Sequence, residues 1–315
     1  MDLRVPRRTF LAVSGALAAG LWLPTVRGSP AAAEALHRRA QRTAAGARST
    51  RPAGTIAAAT DLLTLAEVAA LAPGAARRSL HRTASLAAAT AALAAQRAQR
   101  PSSGFITRAR EHADAAGDGP LRAQALVLQR DGEGVAGHMM DAGSQASVKL
   151  LRAALHAAGS GRDTASLRAG VHYRLAWERA TLGDAHGALQ ELEGADASVA
   201  LTGSAPDYFE DADIRGGAAA AKRGKALRVA RRPVEAEAAL AEAMSTRLHP
   251  AGALVDIAKA RAAAGDVEGA VAALEEGYLA ARTAEDRRAA HHVRTVAATL
   301  PDTTATRQLR ALIRD

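Results

Sequence analysis

The sequence predicts an all-α protein built as a superhelical stack of paired helices, and three observations carry that expectation. First, 48% of the 315 residues are apolar but only 3% are aromatic, and alanine supplies much of the apolar share. Alanine has the highest helix propensity, and its small side chain lets helices pack closely. Second, β-branched and aromatic residues in alternating runs are scarce, which excludes a strand-rich fold. Third, Gly, Asp and Pro punctuate the apolar segments at intervals typical of helix ends.

The elements follow in order from that punctuation. Helices are expected at 31–46, 55–71 and 75–100, the last closed by Pro101. Next come 105–116, stopped by Gly117–Pro120, then 120–130 and 144–158, stopped by Gly159–Gly161. The helices 164–182 and 184–198 meet at Gly183, and 208–230 and 234–246 meet at Pro233. The last four, 250–264, 267–283, 285–299 and 303–313, are separated by Gly265, a short polar turn and Pro301. At Gly183-Asp184 and Gly265-Asp266 the glycine suits a left-handed C-cap, and the aspartate suits the next N-cap.

Those two junctions belong to a longer repeat. Gly183-Asp184-Ala185-His186-Gly187-Ala188-Leu189 aligns with Gly265-Asp266-Val267-Glu268-Gly269-Ala270-Val271, and Arg231-Arg232-Pro233-Val234-Glu235-Ala236-Glu237 is a weaker third copy. A small residue lies seven positions before each copy (Ala176, Gly224, Ala258). After each come a large residue (Leu192, Leu240, Leu274) and a small one (Ala195, Ala243, Gly277). Arg231 and Gly265 are 34 residues apart, the length of one helix pair; Gly183 and Arg231 are 48 apart, as if Leu201–Asp213 were inserted. On these residues the chain resembles tetratricopeptide-repeat proteins over roughly 120–300, with degenerate copies upstream. The expected division is 1–30 as a basic and apolar N-terminal segment, 31–116 as an irregular helical part and 117–315 as the repeat domain.

A narrower resemblance rests on RRTFL near the start, AREHADAAGD at 109–118, LRAALHAA, YRLAWERATLGD and DYFEDAD. Together these are similar to the helical C-terminal region of the large helix-turn-helix regulators of high-GC bacteria. The resemblance implies a regulatory chain that senses a protein or peptide. No helix-turn-helix precedes RRTFL here, so DNA binding is not carried over.

Charge is unevenly placed. Residues 1–110 hold 16 Arg/Lys and 4 Asp/Glu, whereas the rest hold 25 and 28. Only four of the 41 cations are lysine, an Arg bias that GC-rich codon usage produces by itself, so the basic total is no argument for nucleic-acid binding. Arg7-Arg8-Thr9-Phe10-Leu11 resembles a twin-arginine export signal, with an apolar run Leu11–Leu23 and Ala31-Ala32-Ala33 as a cleavage site. Pro6 and Asp2 depart from that pattern, and the run is shorter than a membrane span of about 20 residues. The cytoplasm is narrowly favoured, with export through Arg7 and Arg8 as the alternative.

Catalytic chemistry is not legible. With no cysteine, a disulfide framework, thiolate zinc sites and a Cys nucleophile are excluded. Gly132-x-Gly134-x-x-Gly137 matches a dinucleotide fingerprint but lacks a βαβ context, and is expected to be an inter-helix loop. His291 and His292 are adjacent and point to different helix faces, so no metal site and no cofactor are expected. Asp207, Glu210, Asp211 and Asp213 suit the first turn of the helix beginning near 208, and the cations from Lys222 to Arg232 suit its end. If the repeat register holds, Tyr173, Trp177, Lys225, Arg228 and Lys259 line one concave wall. Such a wall fits a non-enzymatic sensor or scaffold that binds an acidic protein or peptide segment.

Overall fold

A computed structural model of the protein describes residues 29–47, 50–71, 74–133, 143–202, 217–245 and 250–314. Among these residues there are fourteen α-helices, one 3-10 turn (Arg162–Thr164) and no strand. The helices are α1 Pro30–Gly46, α2 Pro52–Ala70, α3 Arg77–Arg97, α4 Ser103–Ala116, α5 Gly119–Glu133, α6 Gln145–Ala158 and α7 Ala165–Thr181. They continue as α8 Ala185–Ala200, α9 Gly217–Val229, α10 Pro233–Ser245, α11 Pro250–Ala263, α12 Val267–Thr283, α13 Arg287–Thr299 and α14 Thr304–Leu312. The all-helical expectation holds. Differences lie at the ends: α3 stops at Arg97 because Gln99 turns left-handed (φ 53°) and the Arg100 amide donates back to the Ala95 carbonyl at 2.8 Å. Gly132 is part of α5 rather than a loop, while Gly134 and Gly137 lie outside the described residues.

The junction at Gln99 recurs five more times. At Gly117, Gly183, Arg231, Gly265 and Glu285 φ is positive, and the next residue donates its amide to a carbonyl five residues before it, at 2.9 Å each time. This is the 6→1 bond of a Schellman cap. At four of the six the next residue is aspartate, and at the other two it is arginine. Asp118, Asp184, Asp266 and Asp286 each accept from the amide three residues on, at 2.8–3.0 Å.

Helices joined by these turns pack as pairs: α7 on α8, α9 on α10, α11 on α12. The first helix of each pair also touches the first helix of the next, in the order α7, α9, α11, α13. The repeated small residues sit where these contacts need them. Ala176, Ala188, Ala236, Ala258 and Ala270 are fully buried, and a Cβ at Gly224 would meet Leu240 Cγ at 2.6 Å. The apolar core is therefore a succession of clusters along the chain. One spans α1 to α5, a second α5 to α7, a third α7 to α10 and a fourth α11 to α14. Leu121, Ala125 and Leu128 of α5 join the first cluster, so packing runs without a break across residues 116–117.

Helix α3 is buried on every side from Thr83 to Arg97, which only a run of alanines and small polar residues permits. Helix α2 is long and apolar enough to cross a membrane by length and composition, and here it packs Leu62, Leu63 and Ala66 into the first cluster. Helix α13 touches α3 as well as its sequence neighbours, so the row of helices returns towards its beginning. Arg97 makes that contact. It donates to the carbonyls of Ala47, Thr50 and Ala284 and to Asp286 Oδ2, at 2.5, 3.2, 3.5 and 3.1 Å.

Candidate functional site

Charged side chains meet where α5, α7, α9 and α13 turn towards one another. On α7, Arg174, Trp177 and Glu178 fall at i, i+3 and i+4 and so share a face. The last turn of α5 supplies Arg130 and Asp131. Arg130 is only 1% exposed, an extreme value for an arginine. It reaches Glu178 Oε1 from Nε at 2.8 Å and from Nη2 at 2.6 Å, and Asp131 Oδ1 from Nη1 at 2.8 Å. Arg174 grips Asp131 from the other side with two bonds, Nε to Oδ1 at 3.3 Å and Nη2 to Oδ2 at 3.0 Å. Glu178 Oε2 accepts the Ser144 amide at 2.9 Å, which ties the N-cap of α6 to the same network.

Trp177 has two cations close to its ring. The Arg130 guanidinium carbon lies 5.1 Å from its ring centroid and Lys225 Nζ of α9 lies 4.9 Å away. Two cations out of bulk water at this range are attracted by the indole quadrupole. Burial alone would raise the Asp131 carboxyl, but the guanidiniums of Arg174 and Arg130 outweigh it and hold it well below the usual carboxylate range. Arg288, in the first turn of α13, lies within Coulomb reach of Asp131, Asp286, Arg130 and Arg174, and burial lowers its pKa.

Of the residues expected along one wall, Trp177 and Lys225 are in contact and Tyr173 lies in the same apolar cluster. The expectation that the two aromatics present open surface is corrected. Tyr173 and Trp177 are each 3% exposed and pack among Leu192, Ala226, Leu227 and Ala239. In an alanine-rich stack the few large rings are needed to fill the wedge between pairs. The Tyr173 hydroxyl donates to Asp196 at 3.3 Å, and burial followed by the Asp196 charge raises its ionisation above the usual range. Arg228 and Lys259 are half-buried on α9 and α11. Arg7, Arg8 and the acidic group Asp207–Asp213 lie outside the described residues. The sequence reading missed Arg130, Asp131, Arg174, Glu178 and Arg288. The spacing of Arg174 and Glu178 reads as a pair within one helix, whereas each bonds to α5 instead.

A second polar group lies on α2, α3 and α4. Glu67 accepts from His112 Nε2 at 2.9 Å and from both Nε and Nη2 of Arg108, and His112 Nδ1 faces His81 Nδ1 at 3.1 Å. Among the described residues no three His, Asp or Glu are grouped to hold a metal ion. The central arrangement presents guanidinium and ammonium groups beside an indole, which is chemistry for binding anions and polar chain segments. No protein-family model matches the chain, and no curated protein matches it in sequence.

Proposed function

We propose that this is a non-enzymatic sensor or scaffold, a superhelical tetratricopeptide-like stack that binds an acidic protein or peptide segment along its first helices. One observation carries the reading. Trp177, Lys225 and Lys259 stand six residues before the left-handed turns at Gly183, Arg231 and Gly265, on α7, α9 and α11, helices that touch in that order. Equivalent positions of stacked first helices form a continuous row in such repeats, here buried at Trp177 and Lys225 and half-buried at Lys259, so the row is open to a partner at Lys259 and at neighbouring Arg228. Arg228 lies three residues beyond Lys225 and extends the same wall.

The test is a peptide array of graded acidity probed with the full chain. Retention of Asp/Glu-rich peptides is expected, weakening as salt rises because exposed ion pairs are screened within about 8 Å at physiological ionic strength. Lys225→Ala, Arg228→Ala and Lys259→Ala together should abolish retention; because Lys225 is buried against Trp177, Arg228→Ala with Lys259→Ala is the pair that should weaken retention and leave the melting curve nearly unchanged. Equal retention of neutral peptides, or full retention by the triple variant, overturns the proposal. Export is the second reading, favoured by Arg7-Arg8-Thr9-Phe10-Leu11. A reporter carrying residues 1–40 should leave the cytoplasm, and the Arg7→Lys, Arg8→Lys form should stay.

A further inference from the structure

A cavity of about 380 Å³ opens where the turn between α3 and α4 meets α5. Arg100 and Ser102 of the turn, Ser103, Thr107 and Arg110 of α4 and Gly132 of α5 line it, and among the described residues no carboxylate does. Both guanidiniums stand exposed at its rim, and neither makes a hydrogen bond or an ion pair. The hydroxyls of Ser102, Ser103 and Thr107 likewise bond to no other group. Helix α4 starts at this rim with no side-chain cap and no acidic residue in its first turn. The amides of Ser103, Gly104 and Phe105 therefore have no acceptor in the protein. A helix start of this kind favours an anion, and two arginines beside it add to the same field.

The inner end of the cavity has a different chemistry. Gln96 of α3 is only 6% exposed; its Nε2 donates to the Leu128 carbonyl at 2.9 Å, and its Oε1 has no partner. The Leu128 bond fixes which end of the amide is which, so the orphan is an acceptor that needs a donor. A Cβ added at Gly132 would stand 3.0 Å from Gln96 Nε2 and 3.6 Å from Ser102 Oγ. The bare glycine thus leaves room between the cavity and the Gln96 amide. A buried acceptor without a donor is costly to the fold, and a ligand hydroxyl would satisfy it.

We infer that this cavity binds a small phosphomonoester that also carries a hydroxyl group. The phosphate sits at the rim between Arg100, Arg110 and the first amides of α4, and the hydroxyl donates to Gln96 Oε1. Two guanidiniums and a helix start match a group of charge about −1.5 to −2 better than a single carboxylate, and the guanidinium fork fits phosphate oxygens two at a time. The volume lies within the range of about 300–1,000 Å³ found for small-molecule sites, which leaves space for an organic group. Free phosphate would fill the rim alone, whereas the ester also reaches Gln96. The site uses none of the side chains of the Lys225–Arg228–Lys259 row and stands or falls without it.

The experiment measures melting and calorimetric binding of the full chain at constant ionic strength. The probes are glycerol 3-phosphate, n-propyl phosphate and inorganic phosphate, with glycerol and sodium sulfate as references. Glycerol 3-phosphate should raise the melting temperature in a saturable way, as a ligand of the native state must, and the two references should not. Its affinity should exceed those of propyl phosphate and inorganic phosphate at least tenfold. Arg100→Gln with Arg110→Gln should abolish binding and melt like wild type without ligand, because both side chains are exposed and bonded to nothing. Gly132→Ala, a change that favours the helix, puts a methyl group at the inner end and should lower glycerol 3-phosphate to the affinity of propyl phosphate. Four results each overturn the inference: sulfate acting as strongly as glycerol 3-phosphate, full binding by the double arginine variant, equal affinity for propyl phosphate, or tighter binding of inorganic phosphate.

Discussion

At the level of single residues, the Arg130–Glu178 pair is the most enclosed ion pair among the described residues, with side chains 1% and 2% exposed. Two ions in such a place gain from each other and lose hydration, and the two effects nearly cancel. The asymmetry appears when one partner is removed. Glu178→Leu should destabilise by about 3–5 kcal/mol because it removes two of the three hydrogen bonds of the buried Arg130 guanidinium, leaving only that to Asp131, whereas Arg130→Met with Glu178→Leu should cost less than the sum of the single changes. Denaturant melts of the four proteins measure this, and additive losses would mean that the two side chains act separately.

The histidine cluster makes a prediction of sign. His81 is held below the ordinary imidazole value of 6.5, first by burial and then by the neighbouring charges of His112 and Arg77. The unfolded chain therefore binds the proton more readily, so the contribution of His81 is complete above about pH 6.5 and is lost as pH falls from there through its lower folded-state pKa. Glu67 is shifted the other way for an acid. Burial raises it, but the hydrogen bonds from His112 and Arg108 win and keep it below its ordinary 4.5. Its contribution is complete above about pH 4.5 and is lost on further acidification. Melting temperatures between pH 8 and 3 should thus fall in two stages. His81→Gln should remove the upper stage alone, and an unchanged upper stage would assign it elsewhere.

At the scale of the element, helix identity was legible because it depends on local chemistry: alanine propensity, capping aspartates and punctuating glycines all act within a few residues. The ionic network was not, because Arg130 and Glu178 are 48 positions apart and only the approach of α5 to α7 joins them. Composition does show that large aromatics are scarce, but not that scarcity forces Tyr173 and Trp177 into the core. The junctions test the local reading. Arg231 carries φ 58° where its counterparts Gly183 and Gly265 carry 85° and 86° without the strain of a Cβ. Arg231→Gly should therefore stabilise by about 1 kcal/mol. Ala270 is fully buried at the α11–α12 contact, and Ala270→Leu should cost about 1–3 kcal/mol by overpacking. Opposite signs for two exposed-versus-buried substitutions in one repeat register are the readout. A neutral Ala270→Leu would mean that the alanine does not govern the approach of the pair.

For the whole molecule, the question is what keeps a row of helices from behaving as a string of independent pairs. In an open stack each pair contacts only its neighbours, and ends fray before the middle. Here Arg97 joins distant parts of the chain through one guanidinium, binding the carbonyls that end α1 and precede α2 together with the α12–α13 junction. Its partners Ala284 and Asp286 lie 187 and 189 residues away in sequence, so the bond forms only when the row has returned on itself. Arg97→Met keeps most of the apolar stem and removes every hydrogen bond, leaving three carbonyls and a carboxylate to find water. The expected loss is about 3 kcal/mol, at the lower edge of what breaking a buried ionic contact costs. Its distribution matters more than its size. Amide exchange should accelerate first in the opening turns of α2 and α13, while the α7–α8 pair keeps its protection. Arg97→Lys, which can hold one or two of the acceptors, should fall between. Uniform acceleration along all helices would show that closure is no separate step and that the stack unfolds as one unit.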